Sequence, residues 1–551
     1  MHDATRDACI NPTRSFMQRP AQKVQAKPTR AVRSSSVQWL PSLVWTGVLV
    51  LALIAWRWPF LAHPARTMDS DEAITGLMAL DILDGARPLY YYGQGYLGTT
   101  EPFTAAGVFA LLGATPLALR IAPLLLFALS LPVQLLVVSR WFGRSAAWWS
   151  VLFMALLPAP AALWTVKARG GFTAVFLMGM VLVWTCQRAA DSAGVRRRIW
   201  GFVSGAALGL GWWTNPMIVF YVVPLAGLVI RRLNGVGPIG LRHCVAFTLP
   251  TTLGLLLGLT PVWIYRLAPA SLVSRQLFDP DPHAWLAGLT LLARSILPLL
   301  FDLSVATLGL IAVLLAVWTA YSMTRSCRCT AVRRGEGPIF VALMVAAVPL
   351  IALLSNQLAD VHSFRYLLPI YVPLSIALGK LCSSGLTVTG WHRVAALGLA
   401  VVWAGHCGHS MWRHRHDRIE PIPAQDILYA AQNAGVDALA APYWQAYRLS
   451  FLTGRRLLTV PVDGISRDPL GLAQWNRSSN RALIWPTDRL GDMTGLRSRT
   501  ASAMSVGRWS VVPITLSDSS EGAADGQQLL DILRQDLPEH EPPRSAWPAL
   551  Q

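Results

Sequence analysis

Charged residues, and acids in particular, are scarce in this sequence. Only 14% of its 551 residues are charged, 53% are hydrophobic, and the mean hydropathy is +0.43. This composition excludes an ordinary soluble globular protein and is typical of a chain that crosses a membrane several times. The sequence has 29 acidic residues and 47 lysines and arginines, but these basic residues form small clusters between apolar runs. Such spacing indicates membrane topology rather than a nucleic-acid surface.

Cysteine is scarce as well, with 7 in the whole chain and none in the polar stretch after residue 413. No disulfide framework is therefore predicted. Cys327 and Cys329 lack the second cysteine or histidine pair that a zinc site needs. Histidines cluster only around the end of the last predicted span, where an interfacial role is favoured over zinc. We predict neither a metal nor a cofactor.

Apolar runs separated by arginine clusters predict about eleven transmembrane helices. The basic residues 1–36 are predicted to be a disordered cytosolic tail, and the next run crosses outward. Residues 103–113 are too short to span and are predicted to lie along the outer interface, and residues 284–301 to form a surface or re-entrant helix. The predicted spans are 39–56, 117–139, 145–163, 172–187, 199–213, 216–230, 243–265, 304–323, 339–355, 366–384 and 394–412.

The predicted domains are a transmembrane part at 37–412, with a first external loop at 57–116, and an external part at 413–516. Residues 517–551 are acidic and proline-rich and are predicted to lack order. Short predicted strands and helices alternate from 425 to 485, which is typical of a small α/β domain. We predict that this domain is accessory rather than catalytic. The chain is predicted to lie in a bacterial inner membrane, with its N-terminus in the cytosol.

Three acids, Asp69, Asp71 and Glu72, follow the first predicted span. A plain explanation is a solvated helix start, because the cluster precedes a run of helix-forming residues. Capping requires only one acid, so we predict a catalytic role for the cluster. Asp71 or Asp69 is expected to be a general base, and the sequence leaves the choice between them open.

An aromatic, glycine-rich run follows the acidic cluster. Aromatic rings beside a carboxylate suit a sugar, whereas the alternative is an interfacial aromatic belt. The predicted substrate-binding residues in this run are Tyr92, Gln94, Tyr96 and Glu101.

Basic residues at two other outer segments are predicted to bind a lipid phosphate. Arginine offers two parallel hydrogen bonds to such a group, although snorkelling to lipid headgroups is an equal alternative for each residue taken alone. The basic residues are Lys167, Arg169, His362 and Arg365, and the neighbouring Tyr366 is predicted to bind the lipid phosphate with them.

The Asp71-Glu72 pair, the loop helix and the Phe364-Arg365-Tyr366-Leu367-Leu368-Pro369 segment resemble the family 39 glycosyltransferases. That family includes protein O-mannosyltransferases and the lipid A aminoarabinose transferase, and the resemblance covers about residues 38–412. It implies the GT-C fold, a polyprenyl-phosphate sugar donor, an external active site, inversion at the anomeric carbon and Asp71 as base. The loop departs from the usual His-Pro-Pro or Lys-Pro-Pro pattern and resembles a bacterial subgroup with Tyr-Gly-Gln-x-Tyr-x-Gly-x-x-Glu.

We therefore predict an α-helical polytopic membrane protein that transfers a sugar from a polyprenyl phosphate to an envelope glycan, lipid or protein. The alternatives are a transporter or flippase of lipid-linked sugars and a non-catalytic scaffold. A transporter is expected to carry charged residues or broken helices in paired positions near the bilayer midplane. Here the acids cluster outside, which favours the enzyme.

Overall fold

The computed structural model describes residues 39–234, 241–267, 282–304, 307, 335–387, 390–417, 419, 421–464, 466–492, 503–514, 529–531 and 533–534. Within these ranges, five helices are long and apolar enough to cross a membrane, and a sixth is counted if one bent pair forms a single span. The five are Pro116–Phe142, Phe172–Asp191, Glu336–Leu354, Val361–Leu386 and Trp391–Arg413. The count of eleven remains a prediction, and most of the predicted span 304–323 lies outside the described residues.

The helices of the transmembrane part follow the apolar runs closely, with bends where proline or glycine interrupts them. The predicted span 243–265 is bent by 51° between its two helices. In chain order the helices are α1 (Trp39–Leu61), α2 (Ser70–Leu83), α3 (Thr100–Leu112), α4 (Pro116–Phe142), α5 (Arg144–Ala155), α6 (Ala159–Trp164), α7 (Phe172–Asp191), α8 (Gly194–Thr214), α9 (Val219–Asn234), α10 (Leu241–Gly258), α11 (Thr260–Leu267), α12 (Pro282–Leu291), α13 (Leu297–Phe301), α14 (Glu336–Leu354), α15 (Tyr371–Thr387) and α16 (Trp391–Arg413).

The predicted continuous span 145–163 is instead broken between α5 and α6. Proline at 158 cannot supply the backbone N–H that would continue the helix. Three carbonyls freed at the break accept hydrogen bonds from α1 and α16: Ala155 from Arg57 at 2.8 Å, Leu156 from Trp403 at 2.8 Å and Leu157 from Trp56 at 2.8 Å. Side chains therefore satisfy the three backbone carbonyls that the break frees, as a backbone inside a membrane requires.

Between α1 and α4 the chain forms the first loop, which carries α2, a hairpin of β1 (Tyr90–Tyr91) and β2 (Gln94–Gly98), and α3. The apolar run 103–113 is helical, as predicted, within α3. The hairpin was not anticipated from the sequence. Gly93 occupies its turn with φ +68°, a backbone conformation that glycine adopts without strain.

The C-terminal part forms a five-stranded mixed sheet in the order β4-β3-β5-β7-β6. Strands β3 and β4 are parallel neighbours, and β5 lies parallel on the other side of β3. The elements are α17 (Ala424–Asn433), β3 (Ala438–Ala441), α18 (Tyr443–Leu452), β4 (Leu458–Pro461), α19 (Pro469–Arg477), β5 (Arg481–Pro486), β6 (Met504–Val506) and β7 (Trp509–Ile514). Of these, α17, β3, α18, β4 and β5 match the strands and helices predicted between 425 and 485, whereas α19, β6 and β7 were not predicted.

Helix α18 joins this sheet to the first loop. Its Leu449 packs with the sheet core, whereas its Tyr447 and Phe451 belong to the core of the first loop. Gly76 of α2 leaves room for the Phe451 ring, because a Cβ there would come within 2.5 Å of it. The C-terminal part thus packs against α2 through α18.

Candidate active site

A cavity of about 150 Å³ lies where the first loop, the C-terminal part and the ends of several membrane helices meet. Its polar lining includes Asp71, Gln94, Arg169, Arg365 and Arg467. Its apolar lining includes Phe172, Trp212, Pro216, Met217, Val219, Phe220, Ile351 and Ala352. The cavity therefore suits a ligand with a charged head and an apolar tail.

Asp69 caps α2 and lies outside the cavity lining. Its carboxylate accepts a hydrogen bond from the Glu72 backbone at 2.9 Å, and it pairs with Lys167 at 2.7 Å and with Arg169 at 3.0 Å. Burial raises the pKa of Asp69, but the charges of Arg169 and Lys167 outweigh this, so the pKa lies below its ordinary value. The capping explanation fits Asp69, and Lys167 is occupied by this carboxylate.

Asp71 faces the cavity and has three donors from three segments. Arg169 reaches Oδ2 at 2.5 Å, Arg467 reaches Oδ1 at 2.7 Å, and the Tyr443 hydroxyl donates to Oδ1 at 2.6 Å. Burial raises the pKa of Asp71, yet Arg169 and Arg467 together hold that pKa below its ordinary value. Asp71 is therefore a carboxylate at neutral pH, and of the two aspartates the structure places only this one on the cavity wall.

The loop that presents Arg169 is held by buried groups of the first loop. Thr75 donates to the Ala168 carbonyl at 2.6 Å, and the Tyr91 hydroxyl accepts from the Gly170 N–H at 3.2 Å. Glu101 accepts from the Gly171 N–H at 3.0 Å. Gly170 and Gly171 have φ values of +76° and +74°, which allow the tight turn these contacts require.

Glu101 and Tyr92, both predicted to bind substrate, do not line the cavity. Glu101 is fully buried, and burial raises its pKa to about 7. Tyr92 donates its hydroxyl to Asp81 at 2.8 Å, so its ring serves the packing of the first loop. Gln94 and Tyr96 do line the cavity, and their contact with a substrate stays a prediction.

Glu72, predicted to be catalytic, is also directed away from the cavity. It is fully buried and receives two hydrogen bonds from the equally buried Arg120, at 2.9 and 3.0 Å. Such a bidentate pair links α2 to α4 and fits a role of Glu72 in packing, and its catalytic role stays a prediction.

Arg365 and Tyr366 lie on the cavity wall at the start of a late membrane helix. The Arg365 guanidinium donates to the His362 carbonyl at 3.1 Å and to the Tyr366 hydroxyl at 3.1 Å. Within the described part of the chain, Arg365 has no carboxylate partner. The exposed His362 ring does not line the cavity.

Comparison with known proteins finds similarity in structure only. No protein-family profile matches the chain, and no curated protein matches it significantly. ArnT from Cupriavidus metallidurans in the apo state aligns with a TM-score of 0.58 and 14% identity, over 87% of this chain and 98% of that chain. ArnT bound to undecaprenyl phosphate aligns with a TM-score of 0.54 and 15% identity, over 88% and 99%.

The chain has the GT-C fold. With its apolar helices, this makes the protein a multi-pass membrane protein. The fold predicted from the resemblance is confirmed, and the similarity extends past the region in which that resemblance was noticed.

Two partners of Asp71 were not predicted from the sequence: Arg467, which lines the cavity, and Tyr443, which donates to Asp71 from outside the cavity lining. They follow β3 and β4, which are parallel neighbours, so both leave the sheet at the edge formed by the strands' carboxyl ends. Ligand-binding residues of parallel sheets commonly lie at that edge. The predicted strand–helix–strand pattern could have indicated these positions, but not that the edge packs against α2.

The described part of this GT-C protein contains no group of three or more His, Cys, Asp or Glu side chains arranged for a metal ion. Lys167, Arg169 and Arg467 pair with the two aspartates, and Arg365 lines the same cavity.

Proposed function

We propose that this protein is a membrane glycosyltransferase that takes a sugar from a polyprenyl-phosphate donor. The observation that carries the proposal is the mixed lining of the cavity. It combines Arg365, a cation without a carboxylate partner among the described residues, with many aromatic and aliphatic side chains. A lipid phosphate has the same division between an anionic head and an apolar chain.

In the proposed reaction, Asp71 accepts the proton of the acceptor hydroxyl as that oxygen attacks the anomeric carbon. The bond from the anomeric carbon to the phosphate oxygen breaks, and the negative charge stays on the departing lipid phosphate. Arg365 stabilises this charge through its planar guanidinium. Attack from the side opposite the phosphate inverts the anomeric centre. The acceptor is an envelope glycan, lipid or protein.

The distribution of arginine supports a cytosolic N-terminus and an active site on the external face. Under this topology the first loop and the C-terminal part lie outside the inner membrane of a bacterium. The undecaprenyl phosphate bound to ArnT belongs to the ligand class proposed here.

The broken span does not favour the alternative of a transporter or flippase. Transporters use broken helices to present free backbone groups to a substrate. At the break between α5 and α6, the freed carbonyls are taken by Arg57, Trp56 and Trp403 instead.

The proposal is tested by comparing two lipids that differ only in the phosphate. Purified protein is titrated with a short-chain polyprenyl phosphate and with the matching polyprenol, and we expect saturable binding of the phosphate alone. The protein is then incubated with labelled polyprenyl-phosphate sugars and an envelope fraction. Labelled acceptor should form with wild type and not with Asp71→Asn. Equal binding of the two lipids would refute the proposal.

A further inference from the structure

The C-terminal part contributes two of the three donors to Asp71. Arg467 donates through Nη1 to Asp71 at 2.7 Å and to the Tyr443 hydroxyl at 2.6 Å. The same hydroxyl donates to Asp71 at 2.6 Å, so these three side chains form a closed triangle. We call this triangle the latch. Its members come from α2, α18 and the segment before α19.

The first loop is shaped to receive Arg467. The Tyr92 carbonyl accepts a hydrogen bond from its Nε at 2.9 Å, and a Cβ at Gly93 would come within 2.6 Å of its Cγ. The hairpin turn thus leaves room for the arginine stem only because it carries glycine. Arg467 is 9% exposed and lines the cavity beside Asp71.

Arg467 lines the cavity and retains hydrogen-bonding capacity. Its Nε and Nη1 are engaged, whereas Nη2 has no hydrogen-bond partner among the residues that the structure describes. Arg169 is more firmly held, because it pairs with both Asp69 and Asp71 and its guanidinium lies 5.3 Å from the centre of the Trp164 ring. Of the two arginines on Asp71, Arg467 is therefore the one that can be shared with an incoming anion.

We propose that Asp71 and the phosphate of the bound lipid compete for Arg467, so that donor binding opens the latch and frees Asp71 to accept a proton. This inference rests on the proposed function and adds its regulation. A carboxylate held by two arginines is a poor proton acceptor, and an arginine held by a carboxylate is a poor phosphate ligand. The latch therefore orders the reaction, with the donor binding before Asp71 becomes a base.

Competition predicts that removing the charge of Asp71 strengthens lipid-phosphate binding. Titration with a short-chain polyprenyl phosphate should show roughly fivefold to tenfold tighter binding by Asp71→Asn than by wild type, as expected for release of one partly buried ion pair. The gain should vanish in the double variant Asp71→Asn/Arg467→Gln. The variant Tyr443→Phe keeps the ring but loses the bridging hydroxyl. It should bind the lipid phosphate more tightly than wild type does, by a smaller factor than Asp71→Asn.

Asp81→Asn is the matched control. Asp81 is on the same helix and pairs at 2.6 Å with Arg455, also from the C-terminal part, but neither residue lines the cavity. If Asp71 serves only to dock the C-terminal part, the two asparagine variants should change binding alike. We expect Asp81→Asn to bind as wild type does.

The outcomes separate this inference from the proposed function. Unchanged lipid-phosphate affinity in Asp71→Asn and Tyr443→Phe would overturn the latch even if transfer depends on Asp71. A gain that persists in the double variant would also overturn it. Tighter binding by Asp71→Asn, lost in the double variant, would support the latch even if wild type transferred no sugar. Failure of every form to bind polyprenyl phosphate would overturn both proposals.

Discussion

Asp71 and Arg467 are 396 positions apart in the sequence, yet their side chains meet at 2.7 Å on the wall of one cavity. The first loop and the C-terminal part therefore form one site. Neither segment carries the full set of charged groups by itself.

Asp71→Asn should abolish sugar transfer while the protein remains folded, because an amide keeps the shape of the side chain but cannot accept the acceptor's proton at neutral pH. The measurement is transfer from a polyprenyl-phosphate sugar, with thermal stability recorded in parallel. Asp81→Asn should retain transfer. Normal turnover by a folded Asp71→Asn protein would remove Asp71 from the role of base.

Arg365→Lys should weaken binding of a short-chain polyprenyl phosphate by roughly fivefold, because the charge is kept but the two parallel hydrogen bonds are lost. Arg365→Ala should bind still more weakly. Arg413→Lys is the control, since Arg413 is in the last turn of a membrane helix but outside the cavity. Equal affinities of wild type, Arg365→Lys and Arg365→Ala would make Arg365 a membrane anchor and leave Arg467 as the cavity arginine that binds the phosphate.

Glu72→Gln should destabilise the protein by about 3–5 kcal/mol, because the buried Arg120 would lose its countercharge. Unfolding in detergent, followed by heat or denaturant, measures this effect. Asp84→Asn, on a side chain that is 77% exposed, should cost about 0.5 kcal/mol or less. Wild-type stability in Glu72→Gln combined with loss of transfer would instead support a catalytic role for Glu72.

The stability of the wild type should fall as the pH rises towards neutrality, in part through Glu101. Burial raises its pKa from 4.5 to about 7, so the folded protein binds this proton more tightly than the unfolded chain does. The stabilisation that Glu101 gives the folded state is complete below about pH 4.5 and is lost as the pH rises past 7. The difference in melting temperature between pH 5 and pH 8 should be smaller for Glu101→Gln than for wild type. An unchanged difference would show that Glu101 does not titrate in this range.

The sequence predicted well what local patterns determine. The start of α2 at Asp69, the helix within 103–113 and the strands and helices after 425 follow from capping residues and periodicity. The sequence narrows the candidate base to Asp69 or Asp71, but only the structure shows which of the two carboxylates faces the cavity. Arg467 was missed because its role depends on how a sheet edge packs against a distant helix, which no local pattern encodes.

The break between α5 and α6 has a consequence for how the chain is assembled during synthesis. Its Leu156 carbonyl is satisfied by Trp403, a residue of α16, which enters the membrane long after α5. A backbone carbonyl without a partner in lipid costs several kcal/mol. In a chain whose synthesis stops before α16, the Leu156 carbonyl would therefore lack the hydrogen bond from Trp403. We therefore expect completion of this helix bundle to depend on the arrival of α16, the last membrane helix that the structure describes.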